Sequence, residues 1–92
     1  MKLVKDAEEM QKIMYENKLK FIGTTIILES GFKLLVIDVE EKGIRSMPFD
    51  SLVAMKRSDL EEYLSKIFAP DKVSVAMGEV AKIKKEIEEI YC

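Results

Sequence analysis

The sequence of 92 residues contains no histidine and no tryptophan, and its single cysteine, Cys92, is the final residue. The chain therefore lacks the residue types that most often serve as general base, thiol nucleophile or zinc ligand. A lone cysteine cannot form a disulfide within the chain, which is typical of proteins kept in a reducing cytoplasm. These absences predict a cytoplasmic, non-catalytic protein without a cofactor.

Long apolar runs are also missing. No stretch approaches the roughly 18 apolar residues of a membrane-spanning helix, and residues 1–6 lack the apolar segment of a signal peptide. Neither sign of charge is in large excess, because 15 basic residues oppose 17 acidic residues and leave a net charge of −2. We therefore expect no membrane association, and the overall charge does not attract nucleic acid.

The residues that are present are typical of a folded protein, with 48% hydrophobic and 35% charged side chains. At this length we expect a single domain over residues 1–92, small enough for partners to add stability. Gln11 and Asn17 are the only side-chain amides, whereas lysine, glutamate and isoleucine are frequent. This bias is typical of hyperthermophile proteins.

A β-hairpin is predicted in the middle of the sequence, at residues 21–40. Two apolar, β-branched runs flank Ser30 and Gly31, and a glycine permits the positive φ that a two-residue turn needs. With that turn Ile26 lies opposite Leu35, and large apolar side chains fall on both faces. A sheet with one face in water alternates apolar and polar residues. We therefore expect helices, another sheet or a second copy of the chain to cover both faces.

The segments on either side of the hairpin predict further elements. Helical spacing of apolar residues indicates an N-terminal helix over residues 6–18, with Asp6 as its cap. Residues 44–47 fit a third antiparallel strand. Residues 52–56 fit either a fourth strand, which we favour, or one helical turn, because five residues are too few for periodicity to decide.

Two helices are predicted after the strands. Ser58 and Glu61 have the spacing of a capping box, which predicts a helix that ends at Pro70. Residues 71–92 form the second. The predicted fold is therefore α+β, with an N-terminal helix, an antiparallel β-meander of three or four strands, and two C-terminal helices.

The last segment has apolar residues at alternating separations of three and four, the a/d spacing of a heptad repeat: Val73, Ala76, Val80, Ile83, Ile87 and Ile90. Gly78 disfavours a continuous helix by about 1 kcal/mol relative to alanine, and residues 73–77 also fit an edge strand, but we favour the continuous helix. The stripe alone is better explained by packing on the chain's own sheet. The two apolar faces of the hairpin nevertheless favour a homo-oligomer, with a predicted interface at Val73, Val80, Ile83, Ile87 and Ile90.

Basic side chains suggest an alternative function, a nucleic-acid-binding regulator. The candidate contacts are Arg45, Lys56, Arg57, Lys82 and Lys85. Glutamates sit beside the lysines of the last helix, and no aromatic residue interleaves with them as in proteins that bind single strands. A solvated surface with salt bridges explains these residues better.

A third hypothesis is a metal-dependent nuclease. Asp38, Glu40 and Lys42 are loosely similar to the PD-(D/E)xK nucleases, a resemblance that implies carboxylates holding Mg²⁺ and a water molecule. Glu29 lies at the other end of the hairpin, roughly 20 Å away at about 3.3 Å per residue. The function that the sequence favours is a small, non-catalytic, homo-oligomeric interaction or regulatory protein.

Overall fold

The computed structural model describes residues 7–91 and has an α+β fold, as predicted. The predicted cap Asp6 lies outside the described residues. The three strands form one antiparallel sheet in the order β1-β2-β3. The elements in chain order are α1 (Ala7–Glu16), α2 (Lys18–Phe21), β1 (Thr25–Ile27), β2 (Lys33–Glu40), β3 (Gly43–Pro48), α3 (Asp50–Val53), α4 (Arg57–Ser65) and α5 (Pro70–Tyr91).

The chain reaches the sheet through α2 and a buried glycine, so the prediction of a strand from Phe21 is wrong. Gly23 has a φ of +87° and donates its N–H to the Val36 carbonyl at 2.9 Å. A β-carbon at this position would lie 3.5 Å from the Lys72 carbonyl of α5, an ordinary van der Waals contact. The backbone angle, rather than a lack of space, is therefore what requires glycine at this turn.

The hairpin loop that Leu28 and Phe32 close has three residues, 29–31, where the sequence predicts two. Leu28 donates its N–H to the Phe32 carbonyl, and Gly31 donates its N–H to the Leu28 carbonyl, both at 2.8 Å. Gly31 has a φ of +89°. A turn followed by a glycine with positive φ is the usual form of a three-residue hairpin loop.

The longer loop changes the register of β1 by one residue. Ile26 pairs with Leu34, whereas a two-residue turn predicts Leu35 as its partner. Side chains alternate between the faces of a sheet, so a shift of one residue turns each β1 side chain to the other face. The predicted faces of β1 are wrong for this reason.

A β-bulge in β2 makes a second correction to the predicted faces. Pairing with β3 skips from Val36 to Asp38 and leaves Ile37 without a partner. The extra residue changes the alternation of side chains. Val36 and Val39 are three residues apart and would lie on opposite faces of a regular strand, but with the bulge both belong to one core.

Helices of the same chain pack on both faces of the sheet. One face carries the larger core, formed with α3, α4 and α5. Its buried members are Leu35, Phe49, Leu52, Leu60, Leu64, Phe68, Ala76, Val80 and Ile83. On the other face Met14 of α1 packs with Val36 and Val39. The apolar character of both hairpin faces is thus explained in large part by the chain itself.

The segment after β3 is helical, so the favoured fourth strand at residues 52–56 is wrong. The Val53 N–H donates to the Phe49 carbonyl at 2.9 Å and closes one helical turn. Phe49 and Leu52 are both buried. Their separation of three residues brings both side chains to the same side of such a turn.

The predicted helix boundaries around α4 are also corrected. α4 begins at Arg57 with Lys56 as its N-cap, and Lys56 makes no capping hydrogen bond through its side chain. Ser58 lies inside the first turn, so the predicted capping box is wrong. Pro70 begins α5 rather than ending the preceding helix, because proline suits the first position of a helix. The continuous helix through Gly78 is confirmed.

Candidate functional site

The five predicted interface residues lie at different depths. Val80 and Ile83 are buried in the larger core, Val73 and Ile87 are partly buried against it, and Ile90 is 74% exposed. Most of the stripe is therefore buried in the chain's own larger core or partly buried against it. Of the five, Ile90 alone has most of its surface exposed, and the interface itself stays a prediction.

Large apolar side chains are exposed where the hairpin ends. Ile27 is 65% exposed, Phe32 48% and Leu28 44%. Isolated exposed apolar residues are normal on protein surfaces, whereas adjacent ones often mark a contact with another molecule. These three residues lie around one short loop, so this end of the hairpin carries three exposed apolar side chains.

The C-terminal half of α5 lies beside this surface. Lys33 pairs with Ile27 across the sheet, and its ammonium group donates to a carboxylate oxygen of Glu86 at 2.5 Å. This hydrogen bond lowers the pKa of Glu86, and the charges of Lys33 and Lys82 act in the same direction. Ile90 lies one helical turn beyond Glu86 on the same side of α5.

We call this exposed apolar group the hairpin-end patch. It consists of Ile27, Leu28, Phe32 and Ile90. The patch lies next to β1, which is an edge strand.

The two edge strands of the sheet differ in whether they carry residues that prevent pairing with another chain. β1 contains only Thr25, Ile26 and Ile27 and has no charge or proline. β3, at the other edge, has the exposed Arg45 and ends at Pro48. Charged residues and prolines prevent an edge strand from pairing with another chain. Among residues 7–91 the β1 edge has neither of these features, and in this sense we call it the open edge.

The five candidate nucleic-acid contacts do not line one common cavity; they are Arg45, Lys56, Arg57, Lys82 and Lys85. Arg45 lines a cavity beside α2 and the start of α5, whereas Arg57 lines a different cleft together with Lys84. Lys82 and Lys85 are exposed on α5 outside both linings. Nucleic-acid binding stays a prediction, and a gel shift that weakens steeply with added salt would support it.

The carboxylates of the nuclease hypothesis do not converge. Asp38 Oδ1 accepts a hydrogen bond from the Val39 N–H at 2.9 Å. Glu40 and Lys42 lie at the surface of the turn between β2 and β3. Over residues 7–91, no three aspartate, glutamate, cysteine or histidine side chains are grouped closely enough to hold a metal ion.

A cleft of about 460 Å³ lies between α3, α4 and α5. Its walls are mostly apolar and include Met55 and Met77, while Arg57 and Lys84 supply two positive charges. None of the described residues that line it is acidic. Sequence analysis missed this cleft, and the one signal available was Gly78, a glycine inside an otherwise regular helix that also lines it.

The fold and these surfaces define a small α+β protein with one open sheet edge, an apolar patch beside that edge, and a separate apolar cleft with two cations. Comparison of the chain with protein-family models, with curated proteins and with solved structures found no match. In the part of the chain that the structure describes, no helix has the length and apolar character needed to cross a membrane.

Proposed function

We propose that the protein is a small, non-catalytic, homo-oligomeric interaction protein whose copies associate through the β1 edge and the hairpin-end patch. The observation that supports this most directly is Ile27, which is 65% exposed on an edge strand without charge or proline. A cytoplasmic location is part of the proposal and is supported by the single cysteine of the sequence.

A second copy of the chain suits this edge for a geometric reason. Two identical β1 strands can pair antiparallel about a twofold axis, so that each satisfies the free backbone groups of the other. The two three-stranded sheets would then become one continuous sheet. Because β1 has only three residues, its backbone hydrogen bonds would be few, and apolar contacts must supply much of the stability.

The hairpin-end patch provides those contacts. Leu28 and Phe32 add exposed apolar side chains at the loop, and Ile90 adds another on α5. Burial of apolar surface contributes about 25 cal/mol per Å². In this arrangement Ile90 is the residue of the predicted α5 interface that would contact the second copy. Val80 and Ile83 instead hold α5 in place from inside the core.

The test is the solution mass of the full chain, measured by light scattering after size exclusion at two protein concentrations. We expect a dimer or larger species for the unchanged chain. Ile27→Lys should yield monomers, with a dissociation constant raised about tenfold or more, because the substitution places a charge in the centre of the contact.

Leu19→Lys is the matched control. Leu19 is 69% exposed but belongs to α2, outside the hairpin-end patch, so this variant should keep the oligomeric mass. Thermal unfolding of both variants checks that each is folded. A monomeric mass for the unchanged chain at both concentrations, or an unchanged mass for Ile27→Lys, would reject the proposal.

A further inference from the structure

We propose that the cleft between α3, α4 and α5 binds a small amphipathic carboxylate of the chemical class of medium-chain fatty acids. The carboxylate would contact Arg57 and Lys84, and the alkyl chain would lie along the apolar walls. This site is separate from the hairpin-end patch, and the proposal goes beyond self-association.

The size and walls of the cleft suit such a ligand. Its volume of about 460 Å³ falls within the range of about 300–1,000 Å³ that is usual for small-molecule sites. Met55 and Met77 line it and are only partly buried. Methionine side chains are flexible and polarizable, so they can adapt to an alkyl chain of varying position.

The charges of the cleft favour an anion. Arg57 and Lys84 line the same space, and among residues 7–91 neither side chain forms a hydrogen bond or an ion pair. A guanidinium group binds a carboxylate through two parallel hydrogen bonds, and a nearby ammonium group adds a further charge-assisted contact. With no acidic residue among the described lining, the carboxylate has no competitor within the cleft.

Gly78 is the second, independent observation. Glycine is less favourable than alanine inside a helix, and Gly78 lies in the interior of α5. A β-carbon built on Gly78 would meet no atom within 4 Å, so packing within the chain does not require glycine here. The absence of a side chain at Gly78 widens the cleft. The need for room for a bound alkyl chain would explain why this position is a glycine.

The experiment uses the full chain with ¹³C-labelled methionine methyl groups, titrated with sodium decanoate below its micelle concentration. We expect saturable shifts of the Met55 and Met77 methyl signals. Met10 and Met14 belong to α1 and should not shift. Decanol has the same alkyl group without the charge. Its affinity should be lower than that of decanoate by about tenfold or more.

Three variants test the roles of individual residues. Gly78→Leu should abolish the saturable shifts because its side chain enters the cleft, and Gly78→Ala, which adds one methyl group to an open position, should weaken them without loss of folding. Combining Arg57→Gln with Lys84→Gln should weaken binding about tenfold or more. Lys42→Gln, in the turn between β2 and β3, is the matched control and should bind decanoate normally.

The outcomes separate this proposal from the proposed oligomer. The titration is repeated in the Ile27→Lys variant, where saturable shifts should persist. Absence of saturable shifts, or equal binding of decanol and decanoate, would overturn the proposal. Shifts of Met55 and Met77 that appear when the protein alone is concentrated would assign the cleft to a second copy of the chain and would also overturn it.

Discussion

The Lys33–Glu86 pair joins the hairpin to α5 through two side chains that are 34% and 41% exposed. The hydrogen bond from Lys33 lowers the pKa of Glu86 in the folded protein. A carboxylate with a lowered pKa contributes stability above its unfolded pKa, about 4.3 for glutamate, and this contribution is lost as the pH falls through the folded pKa. Acid should therefore weaken the attachment of the hairpin end to α5.

We expect Glu86→Gln to lose less stability than the unchanged chain when the pH is lowered from about 5 to about 3. Urea unfolding at several pH values measures this difference. Glu62→Gln is a suitable control, because Glu62 lies 3.9 Å from Lys66 on an exposed side of α4. An equal acid response of Glu86→Gln and the unchanged chain would contradict the assigned role.

Single residues show where sequence analysis succeeds and where it stops. Gly31 was identified correctly as the turn residue of the hairpin, because a positive φ is a property of one residue. The loop length was not, since loops of two and three residues both use a glycine. That difference of one residue moved Ile26 from one face of the sheet to the other.

The start of α4 is the clearest target at the level of an element. Lys56 occupies the N-cap position with extended backbone angles but makes no capping hydrogen bond. Lys56→Asp should stabilise the protein by about 1 kcal/mol, because aspartate can accept from a free N–H and also complements the positive end of the helix dipole. Urea unfolding measures the change as a higher midpoint with an unchanged slope.

Lys66→Asp is the matched control at the opposite end of the same helix. Lys66 is the C-cap of α4, where a negative charge interacts unfavourably with the negative end of the helix dipole. The free energy of unfolding of this variant should therefore fall by about a few tenths of a kcal/mol. If both substitutions changed stability in the same direction, helix capping would not be the cause.

Long elements were predicted better than short ones. The continuous α5 was found because its apolar residues repeat over 22 residues, whereas the four residues of α3 are too few for a period to be visible. The bulge at Ile37 could not be predicted, because a bulge depends on how β2 pairs with β3 and not on β2 alone.

At the level of the whole molecule, the sheet separates two cores of unequal size. Met14 is the buried side chain of α1 in the smaller core. Met14→Ala should cost about 2 kcal/mol or more, and the loss should appear first in the attachment of α1. Hydrogen exchange should show faster exchange of α1 amides while α5 amides remain protected.

Ile13→Ala is the control at the neighbouring position. Because Ile13 is 43% exposed, this variant should lose much less stability than Met14→Ala. A uniform increase in exchange over α1 and α5 after Met14→Ala would show that the two cores unfold together. That result would contradict a separate attachment of α1.

The candidate sites were harder to predict than the fold, because they depend on how distant parts of the chain pack together. The cleft combines Arg57, Lys84 and residues of three helices, which are brought together only by packing around the larger core. The heptad spacing of α5 indicated an apolar stripe correctly, but the same spacing serves an oligomer seam and an ordinary core. Most of the stripe packs in the chain's own larger core, and Ile90 stays exposed.

The position of α5 in the chain also affects how the protein is made. The sheet is complete at Pro48, but α5, which covers its Leu35 face, begins only at Pro70. At a synthesis rate of about 5–20 residues per second, the 43 residues from the end of β3 to the end of α5 take roughly two to nine seconds to add. During that time the Leu35 face of the sheet is not yet covered by α5, so a nascent chain can present this apolar face to other chains.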